Sequence, residues 1–66
     1  MIWELRGSGE FASAGEWSFL LNRRGFQGPF VLRRRHRDDR RWEIVGEGPD
    51  KHEMKQLAES LAKQPR

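Results

Sequence analysis

Residues 30–45 read FVLRRRHRDDRRWEIV, and this stretch predicts a β-hairpin. Two apolar runs, residues 30–32 and 42–45, have the composition of short strands. Between them, residues 33–41 are almost entirely charged. Asp38 and Asp39 are predicted to make the turn, because short Asx side chains hydrogen-bond to nearby backbone and tolerate turn geometry. The pattern therefore predicts a hairpin whose outer half is rich in arginine.

The residues before the hairpin extend the predicted sheet. Residues 2–6 and 16–22 alternate apolar and polar side chains, as half-buried strands do. Residues 7–15 are small and rich in glycine, which predicts a flexible loop. Three dipeptides within residues 4–11 are ones that common restriction sites encode. A cloning-vector origin of residues 1–11 is therefore left open, and on that interpretation the first strand is accidental or absent.

A C-terminal helix is predicted over residues 50–64. Asp50 can accept a hydrogen bond from the Glu53 amide while Glu53 reaches back, which is a capping-box pattern. Pro65 is expected to end the helix. Apolar side chains recur on one helical face, at Met54, Leu57, Ala58, Leu61 and Ala62.

The alternation of the strands defines one apolar face of the sheet. Its predicted members are Trp3, Leu5, Trp17, Phe19, Leu21, Phe30, Leu32, Trp42 and Ile44. Packing the helix on this face gives an α+β fold, with a three- or four-stranded antiparallel sheet and one C-terminal helix. Arg34 and His36 fall on the same face, near the hairpin tip and beyond the helix. The opposite face carries Arg33, Arg35 and Arg41 and is left in water.

The chain has 66 residues, which predicts a single small domain. A domain of this size buries only about 60% of its unfolded surface. Some domains of this kind gain stability by forming homo-oligomers, so self-association is a second expectation.

The net charge of +3 conceals a local excess of positive charge. Residues 23–41 hold eight arginines and two aspartates, a net charge of +6, whereas both flanking segments are net negative. The basic residues of this segment are all arginine, whose planar guanidinium binds phosphate or carboxylate through two parallel hydrogen bonds. A coding bias toward arginine is the alternative origin of this excess.

Catalytic and metal-binding patterns are missing from the sequence. The chain contains no cysteine. His52-Glu53 begins a zinc-binding motif, but Gln56 stands where the second histidine is required. Asp38 and Asp39 are adjacent and fit a turn better than an acid/base pair. We therefore expect no enzymatic activity, no catalytic residue, no cofactor and no metal. With neither a signal peptide nor a membrane-length apolar run, we expect a cytoplasmic protein without membrane contact.

Two functional hypotheses follow from the arginines. In the first, a small basic protein contacts the phosphates of DNA or RNA through its hairpin. The predicted contact residues are Arg33, Arg35, Arg37, Arg40 and Arg41. Trp3 and Trp17 could stack on bases, but aromatic residues at strand spacing favour the core.

The second hypothesis is a protein-interaction module that docks on an acidic partner surface. Small inhibitors and accessory subunits, including those of phages and mobile elements, are the analogy for this class. A third interpretation assigns the charged hairpin no partner. In that case its charge only keeps the sheet edge from aggregating.

Overall fold

The computed structural model describes residues 1–64 and contains five strands followed by one helix. The elements are β1 (Glu4–Arg6), β2 (Gly9–Ala14), β3 (Trp17–Arg23), β4 (Phe30–His36), β5 (Glu43–Gly48) and α1 (Lys51–Ala62). The strands lie in chain order, and each is antiparallel to the next. The helix packs on β3, β4 and β5. The α+β class is confirmed, and the sheet has five strands rather than three or four.

The additional strand, β2, lies in the segment that was predicted to be a loop. It pairs with both β1 and β3, and its Ala12 is buried. The glycines that indicated a loop make two tight turns instead. Gly7 and Gly15 have φ values of 60° and 61°, and each is the first residue of a two-residue connection between strands. Such hairpin turns require positive φ at that position, which glycine adopts without strain.

The connection between β4 and β5 is longer than the predicted two-residue turn. β4 ends at His36 and β5 begins at Glu43, so residues 37–42 form a loop. Asp39 donates its backbone N–H to the His36 carbonyl at 2.9 Å, which makes a turn at the start of this loop. Arg41 was predicted to be a strand residue, and that prediction is wrong. Its N–H donates instead to the Asp39 carboxylate at 3.2 Å, within the loop.

The hydrophobic core lies between the sheet and α1. Phe19, Leu21 and Leu32 are buried on the sheet, and Met54 and Ala58 are buried on the helix. Partly buried side chains surround this cluster, namely Trp3, Trp17, Phe30, Val45, Leu57, Leu61 and Ala62. The predicted packing of the helical stripe on one sheet face is confirmed.

Two members of the predicted apolar face lie on the other side of the sheet. An irregularity between Leu32 and Arg33 pairs Leu32 with Gly46 but Arg33 with Ile44, which makes Val45 an extra residue. A bulge of this kind reverses the direction of the side chains that lie beyond it. Val45 therefore contacts the core, whereas Ile44 is 52% exposed. Trp42 lies on the same side of the sheet as Ile44, opposite the helix, where it contacts Phe11.

Leu5 is also exposed, for a different reason. It pairs with Glu10, which is bonded to the helix, so Leu5 is on the predicted face. However, β1 is the edge strand, and α1 packs on strands further in. Leu5 is consequently 81% exposed.

Asp50 caps the helix as predicted, although its hydrogen bond differs from the expected one. Its Oδ1 accepts the His52 N–H at 2.9 Å rather than the Glu53 amide. The helix ends at Ala62, and the predicted stop at Pro65 lies outside the described residues. Among residues 1–64, no helix has the length and hydrophobicity needed to cross a membrane.

Glu10 ties β2 to the helix. Lys55 Nζ lies 2.8 Å and Lys51 Nζ 3.0 Å from its two carboxylate oxygens. Hydrogen bonds from these lysines, Lys55 foremost, hold the pKa of Glu10 below its ordinary value of 4.5, while partial burial acts in the opposite direction. The N-terminal half of the sheet is thereby fastened to the C-terminal helix.

Candidate nucleic-acid interface

The face of the sheet opposite α1, called here the open face, carries two of the predicted contact residues. Strand alternation directs Arg33 and Arg35 to this face and Arg34 and His36 to the helix side, as predicted. The pairing register places Arg33 in a row with Phe11, Leu20 and Ile44, and Arg35 in the next row with Ser13 and Ser18. The open face is thus a mixed surface of arginine, aromatic, aliphatic and small residues.

Two aromatic rings meet on the open face. The ring centroids of Phe11 and Trp42 are 6.4 Å apart, and the planes are inclined at 81°, an edge-to-face contact. The guanidinium carbon of Arg35 lies 4.9 Å from the Trp42 ring, and that of Arg6 lies 4.2 Å from the Phe11 ring. Both distances are within the range of cation–π attraction. The aromatic pair is therefore flanked by two guanidinium groups.

The arginines differ in whether a carboxylate neutralises them. Arg24 pairs with Glu47 at 3.2 Å and Arg34 with Glu43 at 3.0 Å. Arg6 pairs with Glu4 at 2.9 Å on the sheet edge.

Within residues 1–64, five guanidinium groups form no ion pair with a carboxylate, those of Arg23, Arg33, Arg35, Arg40 and Arg41. Of these, Arg33 donates to the neutral Asn22 side chain at 2.9 Å. Four of the five belong to the predicted contact set. The positive charge of the hairpin is therefore largely uncompensated.

Within residues 1–64, Arg37 is the one predicted contact residue whose guanidinium lies close to carboxylates. Its guanidinium lies 3.5 Å from the Glu16 carboxylate and 4.0 Å from that of Asp38. Its backbone N–H also donates to the Glu16 carbonyl at 2.8 Å. The side chain is exposed, but it is engaged by Glu16 in the turn between β2 and β3 and by Asp38 in its own loop.

A buried histidine anchors the start of the 37–42 loop. His36 is only 5% exposed, and its Nδ1 accepts the backbone N–H of Asp38 at 3.2 Å. In a neutral imidazole the other nitrogen then carries the proton, so Nε2 donates to Glu16, 3.1 Å away. Trp17 packs edge-on against the ring, with centroids 5.0 Å apart. These contacts hold the loop against the neighbouring turn.

A cleft of about 210 Å³ lies where β4 passes into this loop. Its lining includes Trp17, Arg34 and His36, whose side chains point to the helix side of the sheet. Arg35, Asp39, Arg41 and Glu43 complete the lining. Arg40 is exposed in the loop. The structure therefore places Arg33 and Arg35 on the open face and Arg40 and Arg41 in the adjoining loop.

Three residues of this surface were missed by the sequence predictions. Trp42 and Ile44 were assigned to the core, and Phe11 was placed in a loop. The tight-turn signals at Gly7-Ser8 and Gly15-Glu16, which bracket residues 9–14, could have identified β2 and with it Phe11. No signal of comparable strength marks the bulge that redirects Trp42.

Comparisons with protein families, with curated proteins and with solved structures found no match to this chain. In the part of the chain that the structure describes, no three His, Asp or Glu side chains form a group suited to holding a metal ion. Function is therefore inferred from the geometry of the open face and its adjoining loop.

Proposed function

We propose that this protein binds nucleic acid through the open face and the 37–42 loop. Arg33, Arg35, Arg40 and Arg41 contact phosphates, and Arg37 has a smaller part because acidic neighbours engage it. A chain without cysteine suits the reducing cytoplasm, where we place this activity.

The observation that carries the proposal is the distribution of ion pairs. Arg24 and Arg34 have carboxylate partners in the fold, whereas four arginines within residues 33–41 have none in residues 1–64. Clustered, uncompensated guanidinium groups repel one another, and a polyanion relieves that repulsion. Phosphates are the matching ligand because the guanidinium fork binds their oxygens in pairs and condensed counterions are released.

The proposal is tested by measuring the affinity for labelled oligonucleotides, DNA and RNA, across a salt series. Each phosphate contact contributes about 0.7–0.9 to the slope of log affinity against log salt. The double variant R40A/R41A should therefore lower the slope by about 1.4–1.8. The control double variant R24A/K63A removes the same charge from exposed positions outside residues 33–41 and should leave the slope almost unchanged. If the wild type binds neither DNA nor RNA at low salt, the proposal is wrong.

One observation favours a second function. Ile44 is half-exposed in the same row as Arg33, and apolar residues beside arginine are typical of protein interfaces. The partner would present an acidic surface, as a target of a small inhibitor or accessory subunit would. A pull-down from lysate with and without nuclease separates the two functions. Capture that survives nuclease, is competed by one purified acidic protein and is lost in R33A/R35A would support the protein partner.

A further inference from the structure

We propose that the open face selects single-stranded over double-stranded nucleic acid, with Trp42 as the platform on which an unpaired base stacks. The inference rests on the proposed function and adds to it the class of strand that is bound. It is carried by the placement of Trp42, by the guanidinium group beside its ring and by the small residues near it.

The position of Trp42 distinguishes it from the other two tryptophans. Trp3 and Trp17 pack against the core cluster on the helix side. Trp42 is half-buried on the open face, where its aromatic neighbour is Phe11. Core packing does not explain a tryptophan on the water-exposed side of a sheet. Stacking on a flat ligand does, because the indole ring is large and planar.

The charge around Trp42 matches the ligand. Arg35 lies over the Trp42 ring, 4.9 Å from its centroid, and has no carboxylate partner within residues 1–64. A nucleotide carries a flat base next to a phosphate, so an indole ring with an unneutralised guanidinium over it matches both of its parts. In a duplex the bases are stacked and paired, and only the phosphates remain accessible to such a surface. The pairing of ring with guanidinium therefore favours an unpaired strand.

The open face beside Trp42 carries small side chains. Pairing between β4 and β5 ends at Arg34 and Glu43, so Trp42 lies just outside the ladder. The row of Arg35 on this face contains Ser18 and Ser13, whose side chains are short. A base stacked at Trp42 would thus lie beside short side chains, with its phosphate near Arg35.

The experiment compares three labelled ligands of equal length on the wild-type protein at one salt concentration. These are a single strand, a blunt duplex and an abasic single strand that keeps the phosphates but has no bases. The single strand should bind about tenfold more tightly than the abasic strand, the size expected for one to two stacked bases. It should also bind more tightly than the duplex. This comparison requires no substitution, so it does not depend on whether a variant folds.

Substitutions at Trp42 then test whether this residue is the one on which the base stacks. W42L should lose about tenfold in affinity for the base-bearing strand, while its affinity for the abasic strand and its salt slope stay unchanged. W42F keeps an aromatic face and should restore most of the affinity. F26L is the matched control, since Phe26 is 89% exposed in the β3–β4 connection, at the other end of β4.

The outcomes separate the inference from the proposed function. Equal binding of base-bearing and abasic strands, or tighter binding of the duplex, overturns the inference while phosphate binding stands. A loss in W42L that is the same for the abasic strand also overturns it, because the change would then act through the fold. Failure of all three ligands to bind at low salt overturns both.

Discussion

Trp42 contacts Phe11 across the open face, although β3 and β4 lie between the segments that carry them. Adjacent strands are about 4.8 Å apart, so the two backbones are separated by roughly 14 Å. The two rings close that distance to 6.4 Å between centroids. This contact joins the N-terminal hairpin to the arginine-rich loop on the side of the sheet that α1 does not cover.

Burial, rather than residue type, should decide the effect of removing a leucine. Leu32 is fully buried beneath α1, and Leu32→Ala should lower the free energy of unfolding by about 2–5 kcal/mol. Leu5 is 81% exposed, and Leu5→Ala should change it by less than about 0.5 kcal/mol. Urea denaturation of both variants measures the difference. Similar losses in the two would contradict the assigned core.

A side chain at Gly46 requires Leu57 to move. A Cβ added there would lie 2.5 Å from Leu57 Cδ2, because the helix approaches β5 closely at this residue. Cδ2 is the end of a partly buried side chain that can change rotamer, so Gly46→Ala should destabilise the fold by about 1 kcal/mol, the lower end of the cost of overpacking. At Gly48 the nearest atom, Met54 Cε, would be 3.4 Å away, so Gly48→Ala is the matched control with a smaller effect. Thermal unfolding of the pair measures the difference. Equal melting temperatures would show that the helix is not seated as described.

Stability should depend on pH through Glu10. Its pKa is lowered in the fold by hydrogen bonds from Lys55 and Lys51, so the unfolded chain takes up a proton more readily. The resulting stabilisation is present above the ordinary value of 4.5 and is lost as the pH falls through the lower folded value. Glu10→Gln should therefore cost about 1 kcal/mol at pH 7 and much less at pH 3.

Urea denaturation of wild type and E10Q at both pH values checks this. Glu59→Gln makes the same change on the exposed surface of α1 and should have little effect at pH 7. A cost of Glu10→Gln that does not depend on pH would contradict the assigned ion pairs.

The N-terminal hairpin should stabilise the domain. A chain that begins at Ala12 lacks β1, half of β2 and the Glu10 contacts with the helix. It should unfold at a lower temperature than the full chain and lose amide protection at residues 20–22 of β3, which would have no partner on that side. Equal stability of the two chains would show that residues 1–11 add nothing to the fold, as the vector interpretation predicts.

Local patterns in the sequence were sufficient for the elements whose signals are local. Asp50 and the apolar stripe from Met54 onward predicted the helix, because capping and helical periodicity involve residues only a few positions apart. The alternation in β3 and β4 likewise placed Phe19 and Leu32 in the core and Arg33 and Arg35 on the opposite face. Both features are confirmed by the structure.

Tertiary structure decided what depends on distant partners. Residues 9–14 are held as a strand by hydrogen-bond partners in β1 and β3, whereas in the sequence only the flanking turn residues indicate this strand. A bulge shifts β5 by one residue, and since side chains alternate with a period of two, Trp42 and Ile44 change face. Which arginines are neutralised also follows from long-range pairing, such as that of Arg24 with Glu47. The composition of the chain made an arginine-rich surface predictable, but only the folded register determines which rings and charges lie together on it.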